Sequence, residues 1–375
     1  MRILMTSVVD LQKSQHNRPH HFVKELYKDH DLTVVSINDW WKLRHGNPSY
    51  DREFGRILPH IDYQYLTERR ISPIIQELAC GKPIKNLMRR RFDLHLNFNT
   101  LVSGRIVPKN IPTIFDMADD LVAMAGSSPQ IPSKLRLIAW RMAGNLVKGN
   151  IQTADRVTIT VDSLRREYEI PPERAELLPN GVDTSIFSPA NQGKFTENAL
   201  VLGYVGVLRE WVDLRPVFEA LKHLKEAVFV IVGREGALEY NRELARAFGV
   251  SDRVSFLGGV PYSEIPRHIS GMDVCLIPFA ECPVSKHSLP LKLFEYLSCE
   301  KPVISTPLQG VMRIAGDRVL YASSSGEYVN AVRVLVDDPV LCRRLGKRGR
   351  RFVRQKYDWS IFSKKLKSII SDLAP

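Results

Sequence analysis

Short runs of consecutive apolar residues alternate along the chain with longer stretches whose apolar positions recur every three or four residues. In the first half the runs are RILMTSVV (2–9), LTVVSIN (32–38), FDLHLNFN (92–99), IPTIFDM (111–117) and RVTITVD (156–162). In the second half they are LVLGYVGV (200–207), VFVIVG (228–233), RVSFLG (253–258), VCLIPF (274–279) and PVIST (302–306). Strands that are apolar throughout, separated by helical stretches, predict parallel sheets covered by helices on both faces. The fold class expected is α/β, with two doubly wound, Rossmann-like sheets.

The polar, aperiodic stretch SPANQGKFTEN (188–198) is the best linker between the halves. It predicts a first domain over 1–190 and a second over 191–357. The final stretch DWSIFSKKLKSIISDL (358–373) reads as an amphipathic helix, placed with the tail 358–375 as a separate element. In sheets of this kind ligands bind outside the carboxyl ends of the strands, so two such crevices facing each other are expected to form a cleft.

Bulk composition narrows the class. A chain of 375 residues exceeds one ordinary core, and 44% apolar with 25% charged residues is a globular balance. The five cysteines form no CxxC pair, which argues against zinc and disulfide frameworks and for reduced thiols in a cytoplasmic setting. MRILMTSVVD reads as a buried strand rather than a leader, and no apolar run is long enough to span a bilayer. The excess of 53 basic over 41 acidic residues, +12, points to phosphate-bearing ligands, anionic lipid or nucleic acid.

Within LPLKLFEYLSCEKPVIST (289–306), Lys292 and Glu295 stand one helical turn apart and share a face. They form either a solvated ion pair or part of a ligand site. Pro290 suits the first helical turn, Ser288 a cap or a ligand contact, and the helix N-terminus an anion.

Taken with TADRVTITVDSLRREY (153–168), PNGVDTSIFSP (179–189) and GYVGVLREWVDLRPVFEAL (203–221), this stretch resembles the GT-B nucleotide-sugar glycosyltransferases of family 4. The flavour is that of the branch building cell-surface polysaccharides, including teichuronic-acid-type enzymes. The resemblance covers the second half well and the first half mainly in layout. It implies that Glu295 accepts the ribose hydroxyls of a nucleotide sugar, that Lys292 faces its diphosphate, and that Ser288 and Pro290 line the same donor site. It also implies that the 358–375 helix crosses back to the first domain. His287 stands where the family often has an acidic sugar contact, so the sugar is not inherited. The two usual basic positions after Gly206 are absent, and Arg209 is the substitute expected on the diphosphate. Gly206 suits close backbone approach to phosphate. GGVPYSEIP (258–266) lies where the family reads the base, largely through its backbone.

For the acceptor, FDMADDLV places Asp116, Asp119 and Asp120 just after a strand, as either helix caps or carboxylates orienting a hydroxyl. Asp116 or Asp119 serves as base if the reaction inverts; if it retains, as the resemblance implies, the leaving phosphate takes the proton. Arg18, His20 and His21 in NRPHHF are acceptor-binding candidates, or core residues. Adjacent histidines do not share a helix face, so no metal is expected there. DHD (29–31) reads as a solvated turn at the wrong end of its strand, and the glycines of VGREG (232–236) are a weak donor signal.

Basic residues cluster in 80–92, 133–150 and 342–356. The first two mix them with Leu, Met and Trp, as in helices lying on anionic lipid. The expected activity is transfer of a sugar, UDP-linked ahead of GDP-linked, to a glycan or lipid-linked glycan. It is expected to proceed with retention, without metal or cofactor, and without a nucleic-acid partner. The setting expected is the cytoplasm or the inner face of the membrane. A nucleotide-sugar 2-epimerase and a non-catalytic nucleotide-sugar-binding protein are the alternatives on the same fold.

Overall fold

The structure, a computed structural model, describes residues 1–40, 42, 52–189, 195–196, 198–233 and 236–373. Part of the expected linker 188–198, and Arg234 and Glu235 of VGREG, lie outside them. The described chain divides into two compact units, one of residues 1–179 with 360–375, the other of residues 180–359.

The first unit holds a parallel sheet of β1 (Arg2–Ser7), β2 (Asp31–Ser36), β3 (Asp62–Tyr65), β4 (Leu94–Phe98), β5 (Thr113–Met117), β6 (Arg156–Ile159) and β7 (Ala175–Leu177). Its order is β3-β2-β1-β4-β5-β6-β7. The second holds β8 (Leu200–Val205), β9 (Ala227–Val232), β10 (Val254–Gly258), β11 (Val274–Ile277), β12 (Val303–Ser305) and β13 (Leu320–Tyr321) in the order β10-β9-β8-β11-β12-β13. Both are doubly wound, and the order reverses beside β1 in one unit and beside β8 in the other. Ten of these strands coincide with the apolar runs. The central strands are buried along almost their whole length, as β1, β4 and β11 show.

The helix Trp359–Leu373 buries Phe362, Leu366, Ile369 and Ile370, a stripe at helical spacing. Its lysines hold the first unit: Lys365 Nζ pairs with Glu176 at 3.0 Å, and Lys367 Nζ with Asp29 at 2.6 Å. Asp29 of DHD therefore sits in a surface ion pair at the amino end of β2, away from the crevice. All five cysteines are free thiols, three of them buried. Among the described residues, no helix is long and apolar enough to cross a membrane.

Candidate functional site

In the second unit the crevice opens where β8 and β11 part. Gly206 follows β8 with φ +132°, a conformation that L side chains avoid. A Cβ on Gly233 would stand 2.0 Å from the Gly206 carbonyl, so two glycines let the loops after β8 and β9 pass in contact. After β11, residues 278–280 pair with 211–213: Asp213 donates its N–H to the Pro278 carbonyl and Ala280 to that of Trp211. This pairing fixes Phe279.

The helix Leu291–Ser298 points its N-terminus at this place. Pro290 is the residue before the helix, extended at ψ 136°, rather than inside its first turn; no side chain caps the helix. Its first N–H groups therefore have no intrahelical partner. Ser288 does not cap it either: its hydroxyl donates to Val284, closing the short helix Pro283–Lys286. His287, buried, ends that same short helix.

Lys292 and Glu295 are half-buried, one turn apart on the helix. The Lys292 ammonium is 4.8 Å from the centre of the Tyr204 ring and 5.0 Å from that of Phe279. Neither Lys292 nor Glu295 makes a side-chain hydrogen bond or ion pair among the described residues, so the pair is not the solvated bridge that one turn of helix allows. Burial lowers the Lys292 pKa to about 8 against the favourable effect of Glu295. Burial likewise raises Glu295 to about 7, with Lys292 pulling the other way. Desolvation thus outweighs mutual attraction for both. Arg209 is exposed on the loop after Gly206, and its charge reaches the Tyr204 hydroxyl.

Three supporting residues were not singled out in the sequence. Tyr296 accepts the Val205 N–H at 2.7 Å, tying the helix to the end of β8. Tyr204 donates to the Val207 carbonyl at 3.0 Å, holding the Gly206 loop over its own ring. Asn180, of PNGVD, donates to the Leu289 carbonyl at 2.8 Å, just before the helix. Read along a strand or helix, such residues look like core.

The first unit corrects several expectations. Asp116 is fully buried and is no open base: Arg18 Nε and Nη2 grip its two oxygens at 2.9 and 2.7 Å, and Thr158 donates to it as well. Arg18 is committed to that carboxylate and to the Pro179 carbonyl at 3.0 Å, so neither partner is presented to an acceptor. His20 is buried, with one ring nitrogen at Asn17 Oδ1 and the other at the Leu11 carbonyl, both 2.9 Å. His21 is buried beside it, and burial with its neighbours His16 and His20 drives its pKa well down, leaving it neutral. Asp120 caps the helix Leu121–Ser127 through the Ala123 N–H and takes a hydrogen bond from Tyr168. Asp119 alone of the three carboxylates is exposed, at the carboxyl end of β5. No cluster of metal-ligating side chains occurs among the described residues.

Residues 188–352 match the model of the family described as glycosyl transferases group 1. The second unit is a group 1 glycosyltransferase domain. The group 1 assignment agrees with the relatives. Over 267 residues the chain is 26% identical to TuaH of Bacillus subtilis (strain 168), whose name places it in teichuronic acid biosynthesis as a glycosyltransferase; the match covers 66% of this chain and 64% of TuaH, just under two thirds of its length. Over 375 residues it is 24% identical to a GDP-mannose-dependent alpha-(1-6)-phosphatidylinositol monomannoside mannosyltransferase of Mycolicibacterium smegmatis, covering 93% of this chain and 92% of that one. The structure of Anabaena Alr3699/HepE in complex with UDP-glucose superposes with a TM-score of 0.73 at 18% identity, over 99% of this chain and 100% of the other. The chain therefore has the two-domain GT-B fold, with Lys292 and Glu295 inside the segment that matches the family.

Proposed function

We propose that the chain transfers a sugar from a nucleoside-diphosphate donor on its second unit to a glycan or lipid-linked glycan acceptor on its first, in cell-surface polysaccharide synthesis. The observation that carries this reading is the Lys292–Glu295 pair, without a side-chain hydrogen bond or ion pair among the described residues, beside the glycine loop and the uncapped helix N-terminus. A cation and free N–H groups suit a diphosphate, and a carboxylate one turn along suits a vicinal diol. The UDP-glucose bound in the HepE structure and the GDP-mannose in the name of the Mycolicibacterium smegmatis relative belong to one donor class; UDP is favoured over GDP.

Transfer with retention requires no protein base. The anomeric carbon bonds to the acceptor oxygen as its bond to the β-phosphate oxygen breaks, and the departing phosphate takes the acceptor proton. Lys292, Arg209 and the helix N-terminus stabilise the charge that develops on the diphosphate. Asp119 orients the acceptor hydroxyl. Nothing in this scheme uses a metal. A lipid-linked acceptor places the work at the inner face of a membrane.

Calorimetric titration with UDP and with GDP, repeated on Lys292→Ala and Glu295→Ala, tests the donor site. Binding of one nucleotide, weakened at least tenfold in both variants, is expected. Binding of neither, or binding that both variants retain, refutes it.

A further inference from the structure

The N-terminal half of the helix Ser133–Thr153 packs mainly on the neighbouring helix Leu121–Ser127, where one side of Trp140 lies against Gly126. Residues 133–142 include no buried side chain, whereas 143–153 carry the residues that join the fold. The outward side of this half is nevertheless apolar. Leu135, Leu137, Ile138, Trp140 and Met142 are each about half exposed, Leu137 at 58%. Residues 135, 138 and 142 line one side of the helix and 137 and 140 the opposite side, so apolar surface is presented on both flanks of the first turns. Single exposed apolar side chains are ordinary; five within eight residues are not.

The charge of this region is one-sided. From Leu121 to Ala154 the chain has no acidic residue and carries Lys134, Arg136, Arg141 and Lys148. The same helix layer continues the pattern. The strand order steps from β1 out to β3, then back past β1 to β4 and onward. Right-handed crossovers therefore put the helices between β3 and β7 on one face of the sheet. The helix Pro73–Leu78, with Ile74, Ile75 and Leu78 exposed, shares that face. Its Glu77 is turned inward, taking the N–H groups of Val102 and Ser103.

We propose that this face of the first unit docks on an anionic lipid bilayer, with residues 133–142 lying in the interface. The apolar side chains enter the acyl boundary, Trp140 sits at headgroup depth, and the lysines and arginines reach lipid phosphates. A second copy of the chain fits less well, because pairing two such helices sets like charges together without an acid to offset them. The proposal deepens the lipid-linked reading of the acceptor but rests on residues remote from the donor pair.

The test is cosedimentation of the full chain with vesicles of phosphatidylcholine, alone or doped with phosphatidylglycerol. Binding to the anionic vesicles is expected to exceed that to the neutral ones about tenfold and to fall with salt. Leu137→Ser/Trp140→Ser and Lys134→Glu/Arg141→Glu are each expected to abolish it while leaving UDP titration unchanged. Brominated lipid is expected to quench the parent's tryptophan emission more than that of Trp140→Phe, which still binds. Equal binding to both vesicle types, binding that survives both double variants, or a dimer that dissociates in Leu137→Ser/Trp140→Ser overturns the proposal. Vesicle binding without any nucleotide binding upholds the docking face and removes the transferase reading instead.

Discussion

A Cβ built on Gly206 would stand 3.2 Å from the Lys292 ammonium and 3.3 Å from its Cε. The glycine thus does two things at once. It takes a backbone angle of +132°, and it leaves the space into which Lys292 extends. Gly206→Ala is expected to strain the loop by about 1–3 kcal/mol and to push Nζ off its place. UDP affinity should fall about tenfold or more in calorimetry, with a lower urea midpoint for the variant. Parent-like affinity in a folded variant would show that the loop and the lysine are not coupled.

The unpartnered pair makes donor binding a proton-linked event. With Glu295 at about 7 and Lys292 at about 8, the free site near neutrality holds a half-protonated carboxyl and a mostly charged amine. Ribose hydroxyls donating to Glu295 favour its ionised form, so binding at pH 7 releases protons. A diphosphate beside Lys292 favours its charged form, so binding near pH 8.5 takes protons up. Titrations in buffers of differing ionisation enthalpy should therefore show a linkage that changes sign across this interval. Stability runs the same way: it declines as pH rises from the ordinary carboxyl range to about 7, since the folded state alone retains the Glu295 proton, and recovers above about 8, where only the unfolded state retains that of Lys292. A linkage of one sign throughout would mean that only one of the two groups meets the ligand.

Glu295→Gln and Lys292→Met separate those contributions. Each removes one of two poorly solvated charges, so each is expected to hold or raise thermal stability while weakening UDP binding about tenfold or more. Differential scanning calorimetry beside nucleotide titration checks it. Loss of stability in both variants would identify the pair as a structural ion pair after all.

The sequence made the sheets legible where burial is complete. The strands it did not reveal, β3 (DYQY), β7 (AEL) and β13 (LY), all lie at sheet edges and are only partly buried. One open side removes the apolar run that marks an inner strand. The helix Leu291–Ser298 stood out because Lys292 and Glu295 are close in sequence and odd among apolar neighbours. Tyr204, Phe279 and Tyr296 were not, since an aromatic residue in an apolar run reads as core. Asp116 misled for the opposite reason. Its place at a strand end is that of a reactive group, and Arg18, which neutralises it, stands 98 residues away.

That buried pair is a structural tie between the first helix and the end of β5. Asp116→Asn leaves the Arg18 guanidinium buried without its counter-charge, an expected loss of about 3–5 kcal/mol. Asp119→Asn, at an exposed position, should change stability by less than about 0.5 kcal/mol and lower transfer only modestly, with no new ionisation in its pH profile. Urea unfolding and rate measurements on both variants separate the roles. Equal stability of the two variants would return Asp116 to the list of reactive groups.

Tyr296 gives the sharpest test of how the helix Leu291–Ser298 is held. Its hydroxyl receives the Val205 N–H at the last position of β8, and the ring is wholly buried. Tyr296→Phe keeps the ring and its packing but leaves that N–H without an acceptor, a cost of about 1–3 kcal/mol. Tyr204→Phe instead removes a donor from the Val207 carbonyl, which still has access to solvent at a half-buried loop position and so loses less. The expected order is a clear fall in stability for Tyr296→Phe and a smaller one for Tyr204→Phe, read from urea midpoints. If the helix is positioned through this bond, Tyr296→Phe also weakens UDP binding although it touches neither Lys292 nor the ligand. Unchanged binding with reduced stability would assign Tyr296 to the core alone, and the glycine loop would then have to set the geometry by itself.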